Sequence, residues 1–260
     1  MPSFVVDIWV FIVGACFGSF GNLIVDRLPQ GKSIVKPASH CMNCDKKLKW
    51  YDNIPIISAI LLKAKCRSCG SFYGWRTLVF ELLMAILFTA IVYKFGITWL
   101  SLEFLFFGFG LLVVSFIDID HRIIPDVFSL SGIVLGLLGA YLNPMRDFDS
   151  ALWGFLVGGG FLFAIAYFYL LIRKIEGMGG GDIKLLAWIG AYLGIQSILF
   201  VIFVASVIGA FAGLISAISS RDGLKSSIPF GPYLAFAAVL YLFFGPLIID
   251  LYFSYLVPSF

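Results

Sequence analysis

Gly177-Met178-Gly179-Gly180-Gly181-Asp182-Ile183-Lys184 stands between two long apolar segments. Four glycines in five residues precede a single acid, and another apolar run follows at once. Glycine costs backbone entropy and packs nothing, so such a run points to a backbone pressed close to something, or to one that needs positive φ. An acid at the edge of a hydrocarbon layer is expensive and marks a functional position by default. A second acidic cluster has the same placement: Phe116-Ile117-Asp118-Ile119-Asp120-His121-Arg122-Ile123-Ile124-Pro125-Asp126 also ends an apolar run.

Composition makes those runs membrane spans. Of 260 residues, 61% are hydrophobic and only 13% are charged, and 28 are Phe. The apolar residues fall in blocks of about 17–25, the length that crosses about 30 Å of hydrocarbon. A soluble domain is excluded, and the partner that composition demands is the lipid bilayer. Nucleic acid is not expected, since a net charge of +3 carries little meaning in itself. The first run starts at Phe4 without a basic stretch before it or a small-residue cleavage site after it, which reads as a retained span and not as a removed signal peptide.

The expected fold is an all-α polytopic membrane protein of about eight transmembrane helices, near 4–25, 78–95, 98–117, 127–142, 151–172, 183–194, 197–218 and 230–255. The hydrophilic block 26–77 is the only one large enough to fold by itself, and it holds ten of the eighteen Lys and Arg. The positive-inside rule puts it in the cytoplasm. Alternating from there puts Arg122, Arg173, Lys174, Lys184, Arg221 and Lys225 on the same side and leaves only Lys94 and Arg146 opposite. That asymmetry favours splitting the apolar stretch 183–218 into two spans at Gly194-Ile195-Gln196-Ser197. A short span that opens at a glycine loop is the kind of helix that lines a water-filled site. Gly154, Gly158, Gly159 and Gly160 read as a close helix-packing surface. No repeat of 20–50 residues is evident.

Cys41-Met42-Asn43-Cys44 and Cys66-Arg67-Ser68-Cys69 form two C-x-x-C pairs with 21 residues between them. Tetrahedral Zn²⁺ takes four thiolates, two from each tight turn, and the spacing is close to that of a zinc ribbon. Two disulfides or two redox pairs are the competing reading, which a reducing cytoplasm disfavours. A block of about 50 residues with few large apolar side chains also needs a staple to fold. Four ligands close the site, so the zinc is expected to be structural. His40 is read as a bystander, and Cys16 as a small residue packed in the first span.

Asp118, Asp120, Asp126 and Asp182 compete for catalytic roles. Two carboxylates at one membrane face, far apart in sequence, are what an aspartyl protease needs: one activates water and the other protonates the peptide. The competing assignments are helix caps and ion pairs, with Asp120 and Asp126 near Pro125 or Arg122, and Asp182 at the start of the sixth span. Glu81, four residues into the second span, reads as a snorkelling acid or a functional one.

Taken together, these residues resemble the bacterial type IV prepilin peptidase family. The resemblance runs through Gly18-Ser19-Phe20-x-Asn22 and Arg27-Leu28-Pro29, the four cysteines, Asn53-Ile54-Pro55 with Ser58, and Glu81-Leu82-Leu83. It continues through Asp118 with Pro125-Asp126, Gly177-Met178-Gly179-x-Gly181-Asp182-x-Lys184, and Ile228-Pro229-Phe230-Gly231-Pro232. Gly21, Gly180 and Met42 depart from the residues the family often has. The resemblance implies Asp118 and Asp182 as the catalytic pair. It implies cleavage of prepilins or pseudopilins after a glycine that ends a short basic leader, at the cytoplasmic face of the inner membrane. Methylation of the new N-terminus from S-adenosylmethionine would follow; a peptidase without methyltransferase activity is the alternative. Methyl transfer needs an anionic group to hold the amine or the sulfonium, and Glu81 is the expected residue, with Asp26 as the other option. The expected division is a first helix at 1–25, a zinc-binding, methyltransferase-associated block at 26–77, and a seven-helix peptidase domain at 78–260.

Overall fold

The computed structural model describes residues 4–36, 39–41, 43–175, 178–219 and 229–256. Met42, Gly177, Arg221, Lys225 and Ile228, and the side chain of Asp250, lie outside what is described. Among the described residues the α-helices are α1 (Phe4–Arg27), α2 (Ile57–Leu61), α3 (Arg76–Phe95), α4 (Trp99–His121), α5 (Asp126–Leu142), α6 (Phe148–Arg173), α7 (Gly180–Leu193), α8 (Gln196–Ser219) and α9 (Gly231–Leu256). They contain no strand, only two isolated antiparallel bridges. Apart from the short α2, each helix matches one of the expected apolar runs to within a few residues. Helices α1, α3, α4, α6 and α8 are long and apolar enough to cross a membrane, while α5 and the start of α9 are shorter apolar helices. Helix α6 turns Phe161, Phe163, Phe168 and Ile172 outward, and α8 turns out Leu199, Phe203, Phe211 and Ile215. Contiguous apolar surface of that extent does not suit water and suits lipid.

The chain forms two compact units, residues 1–113 and 114–260, with the boundary inside α4. In the first, α1 packs along α3 through glycines on one helical face. A Cβ built at Gly14 would lie 2.8 Å from the Ala85 Cα, one at Gly18 2.7 Å from the Glu81 Cα, and one at Gly21 2.6 Å from the Phe80 ring. Lipid gives no hydrophobic drive for helix association, so small residues that let backbones meet supply the contact. Gly21, a departure from the family pattern, is what admits the fully buried Phe80. Asn22 continues the same face and donates from Nδ2 to the Thr77 carbonyl at 3.1 Å. Cys16, expected to pack inside, is exposed on α1: the glycine stripe, not the cysteine, faces α3.

In the second unit α7 is the central element. The stretch 183–218 does break where the sequence allows it. Gly194 takes φ 77°, a left-handed value that glycine accepts without strain, and Ile195 N–H donates to the Ser150 carbonyl at 3.1 Å. Helix α7 therefore has only 14 residues, and Leu185 to Tyr192 are all buried. Glycines of two neighbours grip it. Gly132 and Gly136 of α5 lie against the Trp188 and Tyr192 rings, and Gly158 of α6 lies against the Leu186 carbonyl. Gly154 and Gly190 meet backbone to backbone: a Cβ on either would collide with the carbonyl of the other. The expected packing role of 154–160 thus holds at Gly154 and Gly158, whereas Gly160 meets nothing within 4 Å. Arg146, between α5 and α6, closes the far end. Its Nη2 donates to the carbonyls of Ala191 at 2.7 Å and Tyr192 at 2.9 Å, and its Nη1 to that of Gly136 at 3.1 Å. A cation on the last carbonyls of a buried helix satisfies groups that have no partner within the helix.

The packing makes a prediction. Gly154→Ala and Gly190→Ala should each push α6 from α7 and lower stability by about 1–3 kcal/mol, the usual cost of overpacking. Gly160→Ala, where no neighbour is met, should not lower stability and should raise it by up to about 1 kcal/mol through helix propensity. Thermal unfolding of the detergent-solubilised protein distinguishes them.

Candidate active site and metal centre

Asp118 lies in the last turn of α4. It is only 5% exposed, and its Oδ2 accepts a hydrogen bond at 3.0 Å from the N–H of Gly231, the first residue of α9. The amides at a helix N-terminus lack partners within the helix and suit a carboxylate. Only glycine fits here, since a Cβ at 231 would lie 2.7 Å from Asp118 Oδ2. Asp182 is the third residue of α7 and half-buried. Ile124 fills the space between the three helix ends. A Cβ built at Gly181 would come within 2.9 Å of Ile124 Cβ, and one at Gly231 within 3.3 Å of Ile124 Cδ1. Gly179 and Gly180, by contrast, meet nothing within 4 Å among the described residues. Of the glycine run, then, Gly181 is required by packing, and the two before it leave room beside Asp182.

The other acids separate from this pair. Asp120 is exposed. Asp126 pairs with Lys184 at 2.6 Å, which ties the first turn of α5 to the first turn of α7. Asp182 makes no side-chain capping bond to α7, whose cap residue is Gly179. The sequence signals the acids by their placement. The Gly231 amide and Ile124 escape it, because nothing in a local pattern says which distant backbone will meet a carboxylate.

The four cysteines meet. Their Sγ atoms all lie within 4.8 Å of one another, with Cys41 to Cys69 at 3.7 Å and Cys44 to Cys66 at 4.0 Å. At the usual Zn–S length, a tetrahedron of thiolates has edges of about 3.8 Å, so the donor set fits one tetrahedral ion. None of the cysteines is disulfide-bonded. Two like turns build the site. Cys41 N–H donates to the Lys46 carbonyl at 3.0 Å and Cys66 N–H to the Ser71 carbonyl at 2.9 Å, and the chain turns through positive φ at Asp45 and at Gly70. The bridges His40–Lys47 and Lys65–Phe72 close the two turns. The sequence reading missed this short repeat, since the two turns share little beyond the cysteines. The Ser71 hydroxyl, 3.0 Å from Cys69 Sγ, holds that thiol down at about 6, which favours the thiolate that binds metal.

Glu81 does not snorkel. It is 4% exposed; its Oε2 accepts from Ile56 N–H at 2.7 Å, and Ser19 of α1 lies beside it. Ser19 and Asn22, two polar residues of the first-helix motif, thus both lie against α3. Asp26 is exposed and accepts from Arg76 Nη1 at 3.3 Å.

The Bacterial Peptidase A24 N-terminal domain matches residues 12–95, and the Type IV leader peptidase family matches residues 105–214. A protein of Pseudomonas aeruginosa named prepilin leader peptidase/N-methyltransferase is 33% identical, covering 94% of this chain and 92% of its own. Relatives of the same name from Stutzerimonas stutzeri and Xanthomonas campestris are also 33% identical, covering 90% and 92% of this chain and 89% and 92% of their own. No solved structure matches. The chain belongs to the type IV leader peptidase family.

Purified protein should carry about one metal ion per chain, as four thiolates suffice for one. Metal binding displaces protons from thiols, so the ion should be released progressively as pH falls. Cys66→Ser should lower the metal content at every pH. Elemental analysis against pH reads both effects.

Proposed function

We propose that this chain cleaves the short basic leader of type IV prepilins or pseudopilins after a glycine, and then methylates the new N-terminal amine with S-adenosylmethionine as donor. One observation carries the reading: the end of α4 that bears Asp118, bonded to the Gly231 amide, and the first turn of α7 that bears Asp182 meet around Ile124. The chain around them is 33% identical, over nearly its whole length, to relatives named for both activities.

In this reading one carboxylate takes a proton from water, and that water attacks the scissile carbonyl carbon. The partner carboxyl gives its proton to the peptide as the carbon–nitrogen bond breaks. Like charges at a buried junction do not both ionise easily, which leaves the pair the one proton it needs. The Gly231 amide orients Asp118. The open space at Gly179 and Gly180 lets an extended substrate backbone run past Asp182. The excess of Lys and Arg in 26–77 supports a cytoplasmic site at the inner membrane.

We assign the four-cysteine site to zinc. All four positions of a tetrahedral ion are then protein ligands, so the zinc fastens the two turns together and takes no substrate. Residues 26–77 are the zinc-binding, methyl-transfer block between the first helix (1–25) and the peptidase segment (78–260), and α3, which packs on α1 and carries Glu81, belongs with that block in the first compact unit. The block has no strands among its described residues and no glycine-rich dinucleotide fingerprint, so the methyl donor is not held in a Rossmann crevice. Glu81 is the acid we assign to this half.

Coexpression with a prepilin, followed by the mass of its N-terminus, tests the reading. Asp118→Asn and Asp182→Asn should each abolish cleavage while the protein remains in the membrane, and Asp120→Asn should retain most activity. Gly231→Ala should slow cleavage about 10²-fold by displacing Asp118, the scale of loss for a small misplacement at a reacting centre. Normal cleavage by Asp118→Asn would remove it from the pair. Product that is cleaved but never methylated by the wild type would leave a peptidase alone.

A further inference from the structure

We propose that Glu81 acts as a positioning residue for methyl transfer: its carboxylate holds Pro55-Ile56-Ile57 in a strained turn and so pins the metal-binding block to the α1–α3 pair. This rests on the assignment of methyl transfer to the first unit.

The turn is unusual. Ile56 takes φ 63° and ψ −54°, and Ile57 N–H donates back to the Pro55 carbonyl at 2.6 Å. That is a γ-turn of the rare, strained hand, centred on a β-branched residue for which positive φ is an outlier. Strain of this kind persists only where the surroundings over-determine it, and it clusters at functional sites. The Ile56 carbonyl accepts from Ile60 N–H at 3.0 Å within α2, and the restraint from outside the segment is Glu81. The Ile56 amide is the only backbone donor at the centre of the turn, and it points to Glu81 Oε2 at 2.7 Å. The acid is itself held close to α1 by Gly18, which brings the α1 backbone against the Glu81 Cα.

Contacts lead from this point into the cysteine block. Ile56 is the cap residue of α2, and Ser58 bonds back to the Ile54 carbonyl through Oγ at 2.6 Å. On the other side of the turn, Asp52 pairs with Arg67 Nε at 2.7 Å, and Arg67 also lies over the Tyr51 ring. Arg67 sits inside the second C-x-x-C pair. The path therefore runs from that pair through Tyr51 and Asp52 to Ile56, and through Glu81 to α1. A carboxylate buried at 4% exposure and committed to a backbone amide is poorly placed to meet a sulfonium, but it is well placed to set where Tyr51, Asp52 and α2 stand.

The two roles of Glu81 separate experimentally. Glutamine keeps an oxygen that accepts the Ile56 N–H but carries no charge; alanine keeps neither. Glycine at 56 adopts the turn without strain. The readout is the methylated fraction of cleaved pilin, by mass spectrometry of coexpressed prepilin. Glu81→Ala should lower that fraction about tenfold or more, as expected when reacting groups are misplaced. Glu81→Gln should keep most of it, and Glu81→Ala with Ile56→Gly should recover much of the loss. If Glu81→Gln falls as far as Glu81→Ala and Ile56→Gly restores nothing, the charge itself meets the reactants and the positioning role is wrong. Limited trypsin digestion of the purified, metal-containing protein tests the turn without methylation. Cleavage after Lys49 or Lys63 should accelerate in Glu81→Ala and return toward wild type in the double variant; unchanged digestion would overturn the proposal. Wild-type pilin that is never methylated would instead count against the assignment of methyl transfer, leaving the digestion to decide the turn.

Discussion

The backbone contact between Gly154 and Gly190 is the constraint on which the candidate peptidase site depends. It lets α6 approach a 14-residue helix closely enough to bury it. Such a helix is too short to cross a bilayer unaided and exposes unpaired groups at both ends. Here the carbonyls at its C-terminal end meet Arg146, and the N-terminal turn carries Asp182 and is tied to α5 by Lys184 and Asp126. Glycine is a poor helix former, costing about 1 kcal/mol per residue against alanine. In lipid that cost is offset by packing that no larger residue allows. The position of Asp182 thus follows from contacts on three sides of α7 and not from the glycine loop alone.

The first unit uses the same device for a different end. Gly14, Gly18 and Gly21 bring α1 against α3, and of the polar residues on that face Ser19 lies beside Glu81 and Asn22 donates to the Thr77 carbonyl. The result is a rigid pair of helices from which a small block, too poor in apolar side chains to fold on a core alone, is held at both ends. The four cysteines draw the two turns of the block together, and the Ile56–Glu81 bond ties it to the helices. The two devices are complementary, since four thiolates fix the two turns to each other but not to the membrane-spanning part.

What was legible in the sequence follows from range. Apolar blocks announce helices because the signal lies within each block, so eight long helices could be read from end to end, including the break at Gly194. The cysteines were legible because ligand chemistry demands residue type and spacing. Asp118 and Asp182 were legible as acids at the ends of apolar runs, and the family resemblance, not spacing, singled out Asp118 over Asp120; in the structure Asp118 is buried on Gly231 while Asp120 is exposed. Gly154 could be read as a packing residue but its partner Gly190 could not, and the stripe on α1 went unread. The partner of Glu81 is not legible, because a buried acid bonded to the amide of a strained turn leaves no local trace. Cys16 was read as buried, since the pattern of α1 does not say which face meets α3.

The central claim is that Asp118 and Asp182 work as one unit, one carboxyl ionised and the other protonated. The most direct test is the pH dependence of single-turnover leader cleavage by the purified wild-type chain in lipid nanodiscs. A pair that needs one proton loses activity both when a second proton is added and when the first is removed, and the two apparent values belong to the pair together. The account predicts a bell-shaped profile with an acid and an alkaline limb. A rate that changes on one limb only, or not at all, while the protein stays folded would contradict it.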